Sequence, residues 1–169
     1  MGDDEQHRSA LLNEALTWSA IVGLQRERLR DTEEWIAAEH AEGRHVVGVD
    51  DDSRQTFVRL RADRHFLIVA ARNLLRAIGA LELPDPTGIS WADHVLVLRN
   101  CLEHWDEPDG PSAKKFLRLF PEGAPTSFRF GPAGSHVGEL NVDSLNEAVR
   151  HLRERLLGME RDGWVWKPT

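Results

Sequence analysis

Segment 99–104, which reads Arg-Asn-Cys-Leu-Glu-His, holds the residue types best suited to chemistry in this chain. An arginine guanidinium presents a fixed fork of N–H donors that fits the oxygens of a phosphate group. A histidine imidazole accepts and releases protons near neutral pH, and the amide of Asn100 can orient the phosphate or the imidazole. Arg99, Asn100 and His104 are therefore candidate catalytic residues for a reaction at a phosphate.

A helix predicted over residues 91–107 positions these three side chains. Its large apolar residues fall within about 40° of one line on the helical wheel and form a core face. They are Trp91, Val95, Leu98, Leu102 and Trp105. Leu96 and Val97 lie instead among the polar candidates, which is unlike a simple solvated face. We therefore expect another element, or a second subunit related by twofold symmetry, to cover this mixed face.

Two structural interpretations of the same residues remain open. Arg99 and Glu103 are four residues apart, so they can form an ordinary helical ion pair, and Asn100 can hold His104 in the same way. A metal site is the main chemical rival, and its candidate ligands on this helix are His94, Glu103, His104 and Glu107, with His65 and His151 on neighbouring helices. A His-Glu-x-x-His motif is absent, however, and the sequence predicts neither a metal nor a cofactor.

The segment between residues 54 and 76 is basic, although the chain has a formal net charge of -7. It contains six arginines and one aspartate, and a solvated helix face is the simplest interpretation. The alternative is a site for an anionic partner, with Arg64, Arg72 and Arg76 as candidate substrate-binding residues. Because Arg64 stands in the apolar seam of its helix, we expect it to have an internal ionic partner.

Hydrophobic periodicity predicts four main helices, over residues 7–42, 53–82, 91–107 and 143–159. In the second helix the seam comprises Phe57, Leu60, Arg64, Leu67, Ala71, Leu74, Ile78 and Leu81. A second apolar stripe comprises Val58, Ala62, Phe66 and Val69. Two stripes predict that this helix is covered on two sides and is the central element.

Residues 108–141 form an insertion rich in glycine and proline. It is expected to contain a short helix over residues 113–119 and a small hairpin made from residues 127–130 and 135–140. We therefore expect an all-α fold, an antiparallel helical bundle of four main helices with this insertion before the last helix. The bundle should form a single domain over residues 1–169, a length that fits one domain.

Composition excludes several classes of protein. The single cysteine, Cys101, cannot form an internal disulfide and is expected to be a small buried residue. The longest strongly apolar run, residues 66–71, is far shorter than the roughly 20 residues that a membrane helix needs. The acidic start of the chain lacks the apolar core of a signal peptide. These features predict a cytoplasmic protein without a membrane partner.

The Arg99-Asn100-x3-His104 segment in a helical bundle resembles the motif of the HEPN superfamily, many of whose members are metal-independent endoribonucleases in toxin–antitoxin and antiviral systems. The resemblance implies an RNA substrate, no cofactor, and an active site formed where two motif helices meet across a homodimer. It also implies that Arg99 stabilises charge on the phosphate while His104 acts as general acid or base. An antitoxin-like partner protein would fit the same resemblance.

A second function from a different class stays open, namely a non-catalytic helical module that binds a partner protein. Catalysis requires Arg99 and His104 to be accessible in a shared cleft, whereas a binding module can bury or separate them.

Overall fold

The computed structural model describes residues 3–43, 51–83, 91–104, 106–107, 109–125, 127–130 and 134–161. These residues are mostly helical, as the hydrophobic periodicity predicts. The helices are α1 (Asp3–Ala41), α2 (Asp51–Ala80), α3 (Trp91–Glu103), α4 (Pro111–Leu119) and α5 (Val142–Arg161). Within the described ranges, every helix is either too short or too polar to serve as a membrane span.

Helix α1 is the longest of the described helices. Its 39 residues give it a length of roughly 58 Å, and it packs against both α2 and α5. Ala15, Val22, Leu29 and Ile36 recur every seven residues, and all four are buried. Because seven residues make nearly two turns, these side chains share one face. The helix that hydrophobic periodicity predicts over residues 7–42 is therefore confirmed.

The interior face of α2 is turned slightly from the predicted one. Between the buried residues Leu60 and Leu67, it is Asp63 that is fully buried, while Arg64 is only half-buried and Phe57 is 44% exposed. A spacing of seven accommodates a residue three or four positions on, so the pattern alone fits both Asp63 and Arg64. The prediction of a seam through Phe57 and Arg64 is wrong, because the residue that meets α1 is Asp63, whose Oδ1 lies 2.9 Å from Nε of Arg28.

The second apolar stripe of α2 is only partly covered by the described chain, with Ala62 and Val69 half-buried. Helix α3 packs against α2, yet Val58 is 69% exposed and Phe66 is 55% exposed. The prediction that the rest of the chain covers this stripe is therefore wrong for these two residues. The result is an apolar surface that lies beside the motif helix.

The insertion contains more structure than the predicted helix and hairpin. Helix α4 begins at Pro111, two residues earlier than predicted, because proline is well suited to the first position of a helix. The predicted hairpin is present as β1 (Phe128–Arg129) and β2 (His136–Val137), which pair antiparallel with Phe128 opposite Val137. A third strand, β3 (Leu140–Asn141), pairs with β2 and leads directly into α5.

Helix α5 begins at Val142, with Asn141 in the capping position. The Oδ1 of Asn141 accepts a hydrogen bond from the N–H of Ser144 at 2.8 Å, which satisfies one free donor of the first turn. Asp143 and Ser144, which are also residue types that favour a cap, lie inside the helix. Four apolar residues spaced three or four apart along this helix are buried. They are Leu145, Val149, Leu152 and Leu156.

Helix α3 is held between α2 and α4. Val95 and Leu98 are buried and Leu102 is partly buried, as predicted for its core face, whereas the side chain of Trp91 and all of Trp105 lie outside the described residues. Gly138, in the turn between β2 and β3, lies against Leu98 with a φ of 56°. The insertion thereby packs onto the helix that carries the candidate site.

Candidate functional site

Arg99 is partly exposed on α3 and is held by two neighbours on that helix. Its Nη2 lies 2.7 Å from Oε1 of Glu103, and its Nη1 donates a hydrogen bond to Oδ1 of Asn100 at 3.2 Å. The first contact is the ion pair that a spacing of four residues allows. Because both charged side chains remain partly solvated, an incoming anion can replace the carboxylate at a small cost in free energy.

His104 stands in a turn one residue after the end of α3. Its N–H donates to the carbonyl of Asn100 at 2.9 Å, and the N–H of Glu107 donates to the carbonyl of His104 at 3.0 Å. The imidazole is 57% exposed, with Nδ1 3.7 Å from Oε1 of Glu107. The prediction that this helix continues to Glu107 is wrong, because a proline at 108 disfavours a helical conformation in the residue before it.

The three candidate catalytic residues do not form one constellation within a single chain. Arg99 pairs with Glu103, the Asn100 amide bonds to Arg99 instead of His104, and His104 lies beside Glu107. Arg99 and Asn100 are thus brought together, whereas His104 is placed separately at the end of the helix. The Arg99–Glu103 contact agrees with the structural interpretation of the motif, and the exposure of His104 leaves its imidazole accessible.

The mixed face of α3 is partly covered by the chain itself. Val97 is 2% exposed and belongs to the hydrophobic core, and Leu96 is half-buried. The expectation that another element covers this face is therefore met for Val97. That residue no longer argues for a second subunit.

One of the three candidate substrate-binding arginines, Arg72, lies within electrostatic range of the motif. Burial lowers the pKa of the Arg72 guanidinium, and the like charges of Arg76 and Arg99 lower it further. Arg72 is therefore within electrostatic range of Arg76 on its own helix and of Arg99 on α3, and the positive charge is concentrated around Arg72. Repulsion between these like charges costs free energy when no anion is bound, and an anion that binds between the guanidinium groups lowers that cost.

Arg64, the third candidate, lies in a groove between α2 and the end of α3. Burial lowers the pKa of Arg64, and the charge of Arg61 adds to the effect. The groove has a volume of about 860 Å³. It is lined by Val58, Arg61, Ala62, Arg64, His65, Phe66, Leu102 and Glu103. Since Glu103 also holds Arg99, the groove reaches the candidate motif.

Other chemistry at this site has little support in the geometry. In the part of the chain that the structure describes, no three His, Cys, Asp or Glu side chains come together as a metal site. Cys101 is buried, and burial raises the pKa of its thiol, which disfavours the reactive thiolate. The prediction that Cys101 is a small buried residue is confirmed.

Sequence reasoning missed two buried polar groups. Asp63 is fully buried and its carboxylate lies 2.9 Å from Nε of Arg28. Arg26, whose side chain is only 12% exposed, lies in α1 and joins Glu33, Asp143 and Ser135. A signal for the first was available, because Asp63 follows Leu60 by three residues and precedes Leu67 by four, which is helical core spacing.

Comparison of the chain with profiles of known protein families, with curated proteins and with solved structures gives no match.

Proposed function

We propose that this chain is a HEPN-like, metal-independent endoribonuclease that acts as a homodimer. The observation that carries the proposal is the charge cluster in which Arg72 of α2 is repelled both by Arg99 of α3 and by Arg76. These guanidinium groups from two helices would form a site for a phosphodiester, since arginine binds phosphate oxygens in pairs. In this proposal the four longer helices form an antiparallel bundle, with the motif on its surface.

The reaction would proceed by attack of the ribose 2'-oxygen on the adjacent phosphorus. A general base removes the 2'-OH proton, the bond to the 5'-oxygen of the next nucleotide breaks, and a general acid protonates that leaving oxygen. The products are a cyclic 2',3'-phosphate and a 5'-hydroxyl. Arg99 would exchange Glu103 for the phosphate and stabilise its charge, while His104 would carry one of the protons.

A second copy of the chain would complete the site. Arg99 and His104 of one chain have different carboxylate partners, so a symmetric contact could bring the His104 of one copy to the Arg99 of the other. The exposed stripe of Val58 and Phe66 borders the groove that reaches Glu103 and is the proposed contact surface. An antitoxin-like partner protein would compete for this surface.

Paired variants test the catalytic proposal on purified protein. Arg99→Ala and His104→Ala should each lower RNA cleavage by about 10²–10⁴-fold, the usual contribution of positioned acid–base catalysis. The double variant should lose little more than either single variant, because the two residues would act on one transition state. Cleavage should persist in EDTA, and light scattering should report a dimer.

Glu103→Ala is the matched control, because it removes the helical ion pair without removing a proposed catalytic group. It should retain cleavage. The proposal fails if folded wild-type protein cleaves no RNA in a mixed cellular pool, or if Glu103→Ala lowers activity as much as Arg99→Ala does.

The second candidate function is a non-catalytic module that binds a partner protein, which the exposure of Val58 and Phe66 favours. A Phe66→Ser variant separates the two functions. If the protein is a nuclease, loss of the dimer should lower cleavage. If it is a binding module, Phe66→Ser should abolish capture of the partner while Arg99→Ala and His104→Ala leave capture unchanged.

A further inference from the structure

A separate cleft lies between α1 and α2, on the face that contains Asp63. Its volume is about 490 Å³, within the range of roughly 300–1,000 Å³ that is typical of small-molecule sites. The cleft is lined by Arg28, Asp31, Thr32, Trp35, Thr56, Arg59 and Asp63. None of these residues belongs to the proposed ribonuclease site.

Asp63 forms the buried end of this cleft. Its side chain is 0% exposed, and its nearest described cation is Nε of Arg28, 2.9 Å from Oδ1. Neither carboxylate oxygen receives a hydrogen bond of good geometry from the residues that the structure describes. A carboxylate has about four acceptor positions, so a donor from a bound molecule would stabilise this buried group.

Arg59 supplies a positive charge next to that carboxylate. It precedes Asp63 by four residues on α2, so the two side chains are neighbours on one helix face. Among the described residues Arg59 has no ion pair within 4 Å, and it is exposed. A positive and a negative group are therefore available side by side, at the separation of adjacent turns of a helix.

The charges that line the cleft balance. Arg28 and Arg59 carry two positive charges, and Asp31 and Asp63 carry two negative charges when both are ionised. Because these charges balance, the cleft as a whole favours neither a simple anion such as a phosphate ester nor a simple amine. A molecule with both charges and no net charge matches both pairs. Trp35 adds an aromatic wall on α1 that can stack against a planar side chain.

We propose that this cleft binds a free aromatic α-amino acid, with its ammonium group on Asp63, its carboxylate on Arg59 and its ring against Trp35. The two charged groups of an α-amino acid are attached to one carbon, which suits two side chains on adjacent helical turns. Charged hydrogen bonds to both groups give the site its specificity. The inference does not depend on RNA cleavage, and either proposal can fail without the other.

Isothermal titration calorimetry with L-phenylalanine tests the inference on the intact chain. Phenylpropionate lacks the ammonium group and phenethylamine lacks the carboxylate, so both should bind at least about tenfold more weakly, which is about 1.4 kcal/mol. Absence of binding by L-phenylalanine to folded wild-type protein would overturn the proposal. Equal binding of phenylpropionate would also overturn it, because that result describes a simple anion site.

Variants on α2 locate the binding. Arg59→Gln should weaken L-phenylalanine binding at least about tenfold, whereas Arg61→Gln, two residues away and lining the other groove, should leave it unchanged. Asp63→Asn should weaken binding to a similar extent. If Asp63→Asn does not fold, Arg59→Gln and the ligand series still decide the matter. Unchanged affinity in Arg59→Gln would refute the assignment.

Discussion

Arg26 is the residue whose loss should destabilise the fold most among the arginines of α1. Its Nη2 lies 3.3 Å from Oε2 of Glu33, and the two side chains are only 12% and 11% exposed. Its Nε donates to Oδ1 of Asp143 at 2.7 Å. The hydroxyl of Ser135 donates to Oε1 of Glu33 at 2.6 Å and completes the network. Arg26 thus joins α1 to the strand region and to the start of α5.

The Arg26→Met variant keeps most of the apolar stem but removes the charge. It leaves Glu33 buried with a single hydroxyl donor, and removing one partner of a buried ion pair costs about 3–5 kcal/mol. Because Asp143 is partly solvated and loses less, we expect a destabilisation near the lower limit, about 3 kcal/mol. At this chain length that corresponds to a decrease in Tm of roughly 6–12 °C.

Arg30→Met is the matched control on the same helix. Arg30 lies 3.9 Å from Glu34, and both side chains are more than half exposed, so the variant should cost at most about 1 kcal/mol. Urea unfolding followed by circular dichroism measures both variants. Equal destabilisation by Arg26→Met and Arg30→Met, or a loss below about 1 kcal/mol for Arg26→Met, would show that the buried network does not hold these elements together.

Two further predictions concern the insertion and the start of α5. Gly138→Ala should destabilise the protein by about 2–5 kcal/mol in urea unfolding. A left-handed backbone conformation costs a residue with a Cβ about 1–2 kcal/mol. A Cβ at this position would also lie 2.6 Å from Cδ2 of Leu98 and force repacking. Gly43→Ala is the control, because Gly43 also has a positive φ but has open space around it. Burial by itself would raise the pKa of Asp143, but the hydrogen bond from the Ser135 N–H and the Arg26 guanidinium outweigh it and hold that pKa below its usual value. The Asp143 contribution to stability should therefore be complete above the ordinary aspartate pKa and be lost as the pH falls through the lower folded value, so Asp143→Asn should flatten the acid limb of the stability curve.

The sequence determined most of the helices because their signals are local. The seven-residue spacing of Ala15, Val22, Leu29 and Ile36 predicts the buried face of α1 without knowledge of its partners. Turn residues and alternation likewise predicted the β1–β2 hairpin. The third strand was not predicted, because two residues carry too little pattern to distinguish a strand from a loop.

The candidate site was predicted only as a set of residue types. The spacing of Arg99 and Glu103 predicts their ion pair, because helix geometry fixes neighbours four residues apart. It does not predict that Arg72 lies near Arg99, since that proximity depends on how α2 and α3 pack. The end of α3 before His104 likewise depends on the competition between the helix and the residues that follow it.

Which of Asp63 and Arg64 is buried is a choice that the sequence pattern leaves open and that the tertiary structure decides. Both residues fit a helical seam between Leu60 and Leu67, and the pattern cannot separate two positions that differ by one helical step of about 100°. The rotation of α2 against α1 buried Asp63 beside Arg28, and it left Val58 and Phe66 exposed. That rotation is fixed by side-chain packing between the two helices, a property that neither helix carries in its own sequence.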